Sequence, residues 1–181
     1  MERTHHVMID METMSTEPDA ALLSLGGVLF DPHGESVKDT FYGNVELQSC
    51  LDAGLRANAG TFYWWLTRSE FARTAVLGDR VPLCRALSDF TDWFRKSGAS
   101  RIWSHGATFD IVVLERAYRA LHLGPPYDFR DARDTRTLYD LAGLQYSKSE
   151  DTAHEALADA IRQAAFVQSA YRTLLHSRPG S

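Results

Sequence analysis

Cysteine is scarce in this chain: Cys50 and Cys84 are the only two, and they show no C-x-x-C spacing. A disulfide framework and a zinc knuckle are therefore excluded, and both thiols are expected to stay reduced. Long apolar runs are missing too. The longest, Ala20 to Phe30, contains Ser24 and two glycines and is too short to span a bilayer. The polar opening Met1-Glu2-Arg3-Thr4-His5-His6 does not read as a signal peptide, so the pattern predicts a cytoplasmic protein without a membrane partner. A basic excess is also absent, with a formal net charge of −5. That balance argues against a long electrostatic footprint on duplex nucleic acid. There is no phosphate-binding G-x-x-x-x-G-K-[ST] loop, no G-x-G-x-x-G after a strand and no G-x-S-x-G elbow, and His154-Glu155 lacks the second His of a zincin. Neither repeats nor low-complexity tracts occur.

What remains suits one compact domain over residues 1–181, since 44% of the residues are hydrophobic and 24% charged. The pattern predicts an α/β fold with a mixed central sheet of about five strands flanked by helices. Strands are expected at Val7 to Glu12, Ala20 to Phe30, Thr40 to Val45, around Ile102, and near Tyr127 to Arg130. The short connection from Thr13 to Asp19 predicts that the first two are antiparallel. Helical patterns cover about Thr61 to Thr67, Val81 to Lys96, Thr108 to Leu121, Asp134 to Leu141 and Ala153 to Leu175. Gly124-Pro125-Pro126 reads as a break inside the domain, and the tail Ser177 to Ser181 as frayed.

Three places in this pattern carry acidic chemistry. On the first strand, Asp10 and Glu12 share a face because side chains alternate, which puts them roughly 6 to 7 Å apart along the backbone. Carboxylates held that close repel, and a hard divalent cation between them resolves the repulsion. The same D-x-E also fits an exposed polar strand face. Asp110 opens an amphipathic helix striped by Phe109, Val113, Ala117 and Leu121, where an acidic residue also complements the helix dipole. His154 and Asp159 lie where Thr152 and Glu155 form a capping box, so a helix is expected from about residue 153, with His154 in its first turn. A histidine there is equally at home as a surface residue.

Taken together, the order D-x-E, then F-D at a helix start, then H-x-x-x-x-D resembles the DEDDh family of 3′→5′ exonucleases, which have a ribonuclease H-like fold. The resemblance runs from Met8 to about Tyr171. The stretches Met8 to Ser15, Trp64-Trp65, Gly106 to Asp110 and Arg133 to Leu138 look most like the small bacterial and phage RNase AS-type exoribonuclease branch. Two departures stand out. Trp103-Ser104-His105-Gly106-Ala107 occupies the place of W-x-N-G-A, and Ile111 stands where a polar Asn is common. Both leave the acidic residues intact and bear on substrate contacts.

The resemblance implies that Asp10, Glu12, Asp110 and Asp159 hold two divalent ions, Mg²⁺ or Mn²⁺, and that His154 is the general base. It further implies substrate contacts from Met11, Thr13, Met14, Trp64, Trp65 and Phe109, a single-stranded 3′ end as substrate, RNA being favoured, and a homodimer. Trp64 and Trp65 are 100° apart on a helix, so one is expected in the core and the other free to stack on a base. Core or dimer contacts for both are the competing reading. Arg130, Arg133 and Arg136 either hold phosphates or pair with Asp128, Asp131 and Asp134. Removing the four ligand carboxylates from the charge of −5 leaves −1, which suits an enzyme gripping a few unpaired nucleotides. Two rival readings are a deoxyribonuclease of the same chemistry and a non-catalytic RNA-binding module on the same scaffold.

Overall fold

The computed structural model describes residues 5–147 and 154–176. Its frame is a six-stranded mixed sheet built from β1 (His6–Thr13), β2 (Leu22–Phe30), β3 (Val37–Val45), β4 (Arg80–Val81), β5 (Arg101–Ser104) and β6 (Ala132–Asp134), in the order β4-β3-β2-β1-β5-β6. The first three strands form an antiparallel meander, as the short connections require, with Asp10 opposite Gly26 and Glu12 opposite Ser24. β5 joins β1 in parallel, and β6 and β4 add in parallel at the two edges.

Seven helices occur among the described residues: α1 (Leu47–Asp52), α2 (Ala59–Leu66), α3 (Glu70–Val76), α4 (Leu83–Ser97), α5 (Asp110–Ala120), α6 (Thr135–Ala142) and α7 (Ala156–His176). They cover both faces of the sheet. Alternation along β1 explains how: Val7, Ile9 and Met11 enter the larger core with α4 and α5, whereas Met8 enters the smaller one with α6 and α7. Asp10 and Glu12 follow Met8 toward α7.

Some boundaries differ from the sequence pattern. The fifth strand is not at Tyr127 to Arg130; the Asp128 carboxylate accepts the Arg130 N–H and closes a 3₁₀ turn over Phe129–Asp131, which delays β6 to Ala132. Val81 is strand rather than helix, since it precedes Pro82 and is held extended. The last helix starts at Ala156 instead of about residue 153. Its cap is the Glu155 carboxylate, which accepts the N–H groups of Leu157 and Ala158 at 3.1 and 2.7 Å. His154 consequently precedes the helix, at φ +69°, rather than sitting in its first turn. Thr152 of the expected capping box, Met1 to Thr4 of the opening and the tail Ser177 to Ser181 lie outside the described residues.

One close approach places α7. A Cβ on Gly26 would sit 2.5 Å from the Ala156 carbonyl carbon and 2.6 Å from the Leu157 nitrogen. These are backbone atoms that cannot swing aside, so only glycine lets the helix start touch β2. Gly26→Ala is expected to destabilise the fold by about 1–3 kcal/mol. An unchanged urea midpoint would show that α7 does not rest on β2 in this way.

At the opposite end of β1, His6 stacks on Trp103 with ring centroids 6.0 Å apart, and its Nδ1 accepts the Trp103 Nε1–H at 3.0 Å. Burial, with Arg101 and Arg133 nearby, lowers its pKa from 6.5 to about 4. The unfolded chain therefore takes up the proton first. Stability from this group is complete above pH 6.5 and is lost as pH falls toward 4. Thermal melts should show that loss, and His6→Asn, which keeps an acceptor that does not titrate, should flatten it. An identical pH slope in both proteins would remove His6 as the cause.

Candidate active site

The strand and the helix bring Asp10, Glu12 and Asp159 together. Asp159 lies in the first turn of α7, fully buried, and Asp10 and Glu12 are 8% and 7% exposed. One carboxylate oxygen from each lies within 4.8 Å of the others. At that separation two like charges repel by about 3 kcal/mol at an effective dielectric near 20. Polar neighbours offset part of this cost. Arg162 Nη1 donates to Asp159 Oδ1 at 2.6 Å, the His154 backbone N–H reaches Asp159 Oδ2 at 3.2 Å, and Gln163 Nε2 donates to Asp10 Oδ1 at 2.7 Å. The cluster is nonetheless all oxygen, buried and open on one side to a cleft of about 420 Å³. Such a donor set fits a hard divalent cation.

Asp110, 5% exposed in the first turn of α5, lies outside that trio but lines the same cleft, as does His154. The His154 ring meets Trp64 edge-on, with centroids 4.7 Å apart. A histidine at positive φ is uncommon, and this ring contact and the bond to Asp159 help to hold it there. Asp10, Glu12, Asp110 and His154 thus line one opening, with Asp159 buried beside Asp10 and Glu12.

The six expected substrate contacts divide. Met11, Thr13, Trp64 and Phe109 line a second hollow of about 400 Å³ that adjoins the cleft through Met11, Glu12 and Phe109. Met14 and Trp65 do not reach it. A register shift between Glu12 and Thr13 breaks the alternation of β1, which sends Met14 into the larger core with Ile9 and Met11. Trp65 is buried beside it, its Nε1–H donated to the Thr13 carbonyl at 3.0 Å. Trp64 remains more than a third exposed, although the Arg68 guanidinium already covers one face at 4.4 Å.

Residues absent from the sequence reading complete the site. Gln163 is fully buried and sits one turn beyond Asp159. A glutamine on the Ala160, Ala164, Val167 stripe was the available signal, because a buried amide requires a polar partner. For Arg162 the available signal was its i,i+3 spacing from Asp159 on the expected helix. Tyr146 is likewise new, and it reaches the cleft wall together with His105, the departure noted in the sequence, their rings 4.4 Å apart. Of the three arginines in question, Arg130 pairs with Asp128 and Arg133 donates to the carbonyls of Arg130 and Ala132, while Arg136 lines the cleft.

Comparison with known proteins agrees with this geometry. A family described as the 3′-5′ exoribonuclease Rv2179c-like domain matches residues 5–171. An exodeoxyribonuclease of Enterobacteria phage T4 is 28% identical over 120 residues, covering 59% of this chain and 52% of the phage protein, so the match spans about half of that relative. Among solved structures, the nuclease domain of 3′hExo, a DEDDh family member bound to rAMP, aligns over 97% of this chain and 94% of its own, with TM-score 0.61 and 15% identity. Escherichia coli exonuclease I, in a zinc-bound complex with single-stranded DNA, aligns over 97% of this chain and 43% of its own, with TM-score 0.63 and 14% identity. These two likenesses establish the ribonuclease H-like fold. The family match extends across all three acidic segments, and the chain belongs to the 3′-5′ exoribonuclease Rv2179c-like family.

Proposed function

We propose that this chain, as a single domain, is a divalent-metal-dependent 3′→5′ exonuclease that releases nucleoside 5′-monophosphates from single-stranded RNA. The observation that carries the reading is the convergence of Asp10, Glu12 and Asp159 within 4.8 Å in a cleft also lined by Asp110 and His154. Asp10, Glu12 and Asp159 are suited to hold one ion and Asp110 a second, with Mg²⁺ or Mn²⁺ matching their oxygen donors. Such ions supply positive charge against the phosphate and ease loss of a proton from water.

The side chains of this protein do the rest. The terminal nucleoside fits the hollow bounded by Met11, Thr13, Trp64 and Phe109, with its phosphate toward the acidic cluster. His154 accepts the proton of the attacking water. A new oxygen–phosphorus bond forms as the bond to the 3′-oxygen of the preceding nucleotide breaks, in line, and that oxygen leaves on the shortened strand.

RNA is favoured by the family description, DNA by the phage relative, which is an exodeoxyribonuclease. We also read the protein as a cytoplasmic homodimer. Free Cys50 and Cys84 suit a reducing compartment, and exposed Phe62, Tyr63, Leu66 and Phe71 on α2 and α3 offer an apolar face to a second copy.

Matched 5′-labelled RNA and DNA strands, incubated with Mg²⁺, Mn²⁺ or EDTA, test the reading. RNA should give a descending ladder with metal and none in EDTA. Asp10→Asn should be inactive and folded, and should lose the rise in Tm that Mg²⁺ gives the parent protein. Full hydrolysis in EDTA would sink the proposal, and faster digestion of DNA would reassign the substrate.

The base has its own test. His154→Ala and His154→Gly should each lower the rate by about 10² to 10⁴. Glycine accepts positive φ without strain, so His154→Gly should keep its Tm while alanine need not. A full rate in the folded glycine variant would mean that no side-chain base acts at this position.

A further inference from the structure

The cleft lined by Asp10, Glu12 and Asp110 has two arms. One arm is the hollow of Met11, Thr13, Trp64 and Phe109; the other is walled by His105, Tyr146 and Arg136. Arg136 stands there under unusual conditions. It is the second residue of α6, where a positive charge opposes the helix dipole. Its neighbours Arg101 and Arg130 pair with Asp131 and Asp128, but among the described residues Arg136 makes no ion pair.

Its guanidinium is also held in place. A Cβ on Gly106, which has φ +108°, would meet the Arg136 Cζ at 3.3 Å and both Nη atoms at 3.5 Å. Three nearly equal distances mean that the guanidinium plane lies flat over the glycine, and its in-plane N–H groups make no hydrogen bond to a described residue. The two segments that make this contact are tied to each other. The Asp134 carboxylate accepts the N–H of Ala107 at 2.7 Å and of Thr137 at 3.0 Å, and His105 Nδ1 bonds Thr135 Oγ1 at 2.8 Å. Although partial burial raises the Asp134 pKa, these N–H groups bring it below the ordinary value, so the tie stays ionised.

We propose that Arg136, flanked by His105, grips the first phosphate upstream of the one being cut, the phosphate joining the second and third nucleotides from the 3′ end. This rests on the exonuclease reading above. With the terminal nucleoside in the first arm and its phosphate at the carboxylates, the rest of the strand leaves through the second arm. A flat guanidinium with two parallel donors matches a phosphate there. Arg136 is thus a specificity residue that senses a continuing strand.

Two substrates separate this from other roles. A ten-nucleotide RNA has the upstream phosphate; the 5′-p-nitrophenyl ester of a nucleoside monophosphate has only the scissile one. Arg136→Ala should lower kcat/KM on the RNA by about tenfold to a hundredfold, mostly through KM, and on the ester at least tenfold less. Arg136→Lys, which keeps charge but loses the fork, should fall between. Binding of the RNA in EDTA, followed by fluorescence anisotropy, should lose about 0.7 from its log K against log salt slope in Arg136→Ala. Should alanine lower the Tm, Arg136→Gln, which keeps a stem over Gly106, carries the same comparison. Equal losses on RNA and ester, or an unchanged salt slope, overturn the proposal alone. A parent protein that hydrolyses neither substrate overturns the exonuclease reading and this inference with it.

Discussion

The contact of the α7 start with Gly26 governs the site. Because backbone meets backbone there, the first turn of the helix is fixed over β1 and β2, and Asp159 is carried to the Asp10 and Glu12 carboxylates. The same placement brings Gln163 and Arg162 to the cluster from the next turn. Repulsion among three buried acids is thus imposed by packing that is distributed over the sheet, the smaller core and the length of α7. Asp10 and Asp159 are oriented before anything binds, by donors from α7 and from the His154 backbone.

Charge is arranged in the same economical manner. The chain is acidic overall, yet it sets guanidinium groups close to the cleft: Arg162 on Asp159, Arg68 on the face of Trp64, and Arg136 over Gly106. Each is braced by a carboxylate, a ring or a glycine. A phosphate chain then meets positive charge only along a short path, which accords with a ligand engaged at its end.

The parts of the fold legible in the sequence are those whose signal is local. Asp10 and Glu12 could be placed on one face because alternation over β1 is geometric, and α4, α5 and α7 are long enough to show a helical period. α1 and α3, of six and seven residues, are too short for one, and β4 and β6, of two and three residues, are strands only because neighbours pair with them. The capping box misplaced the start of α7 because Glu155 caps the helix itself. Met14 lies away from the hollow for a different reason: a register shift breaks the alternation of β1 just before it, and nothing in the residue types announces that. Gln163 was readable in hindsight as a polar residue on an apolar stripe, whereas the face of Arg136 depends on a loop from another part of the chain.

The brevity of β4 has a further effect at the edge of the sheet. It pairs with β3 only at Asn44 and Val45, so the outer side of Val37 to Gly43 carries backbone groups that no strand covers among the described residues. Left apolar, such an edge would template association of one molecule with another. Here Lys38, Asp39 and Thr40 lie along it exposed, and Asp39 is held by the Trp93 indole at 3.0 Å, so the edge is studded with charge and partly tethered. β3, which gives no lining residue to the cleft, thus carries charge where bare backbone would invite pairing with another sheet.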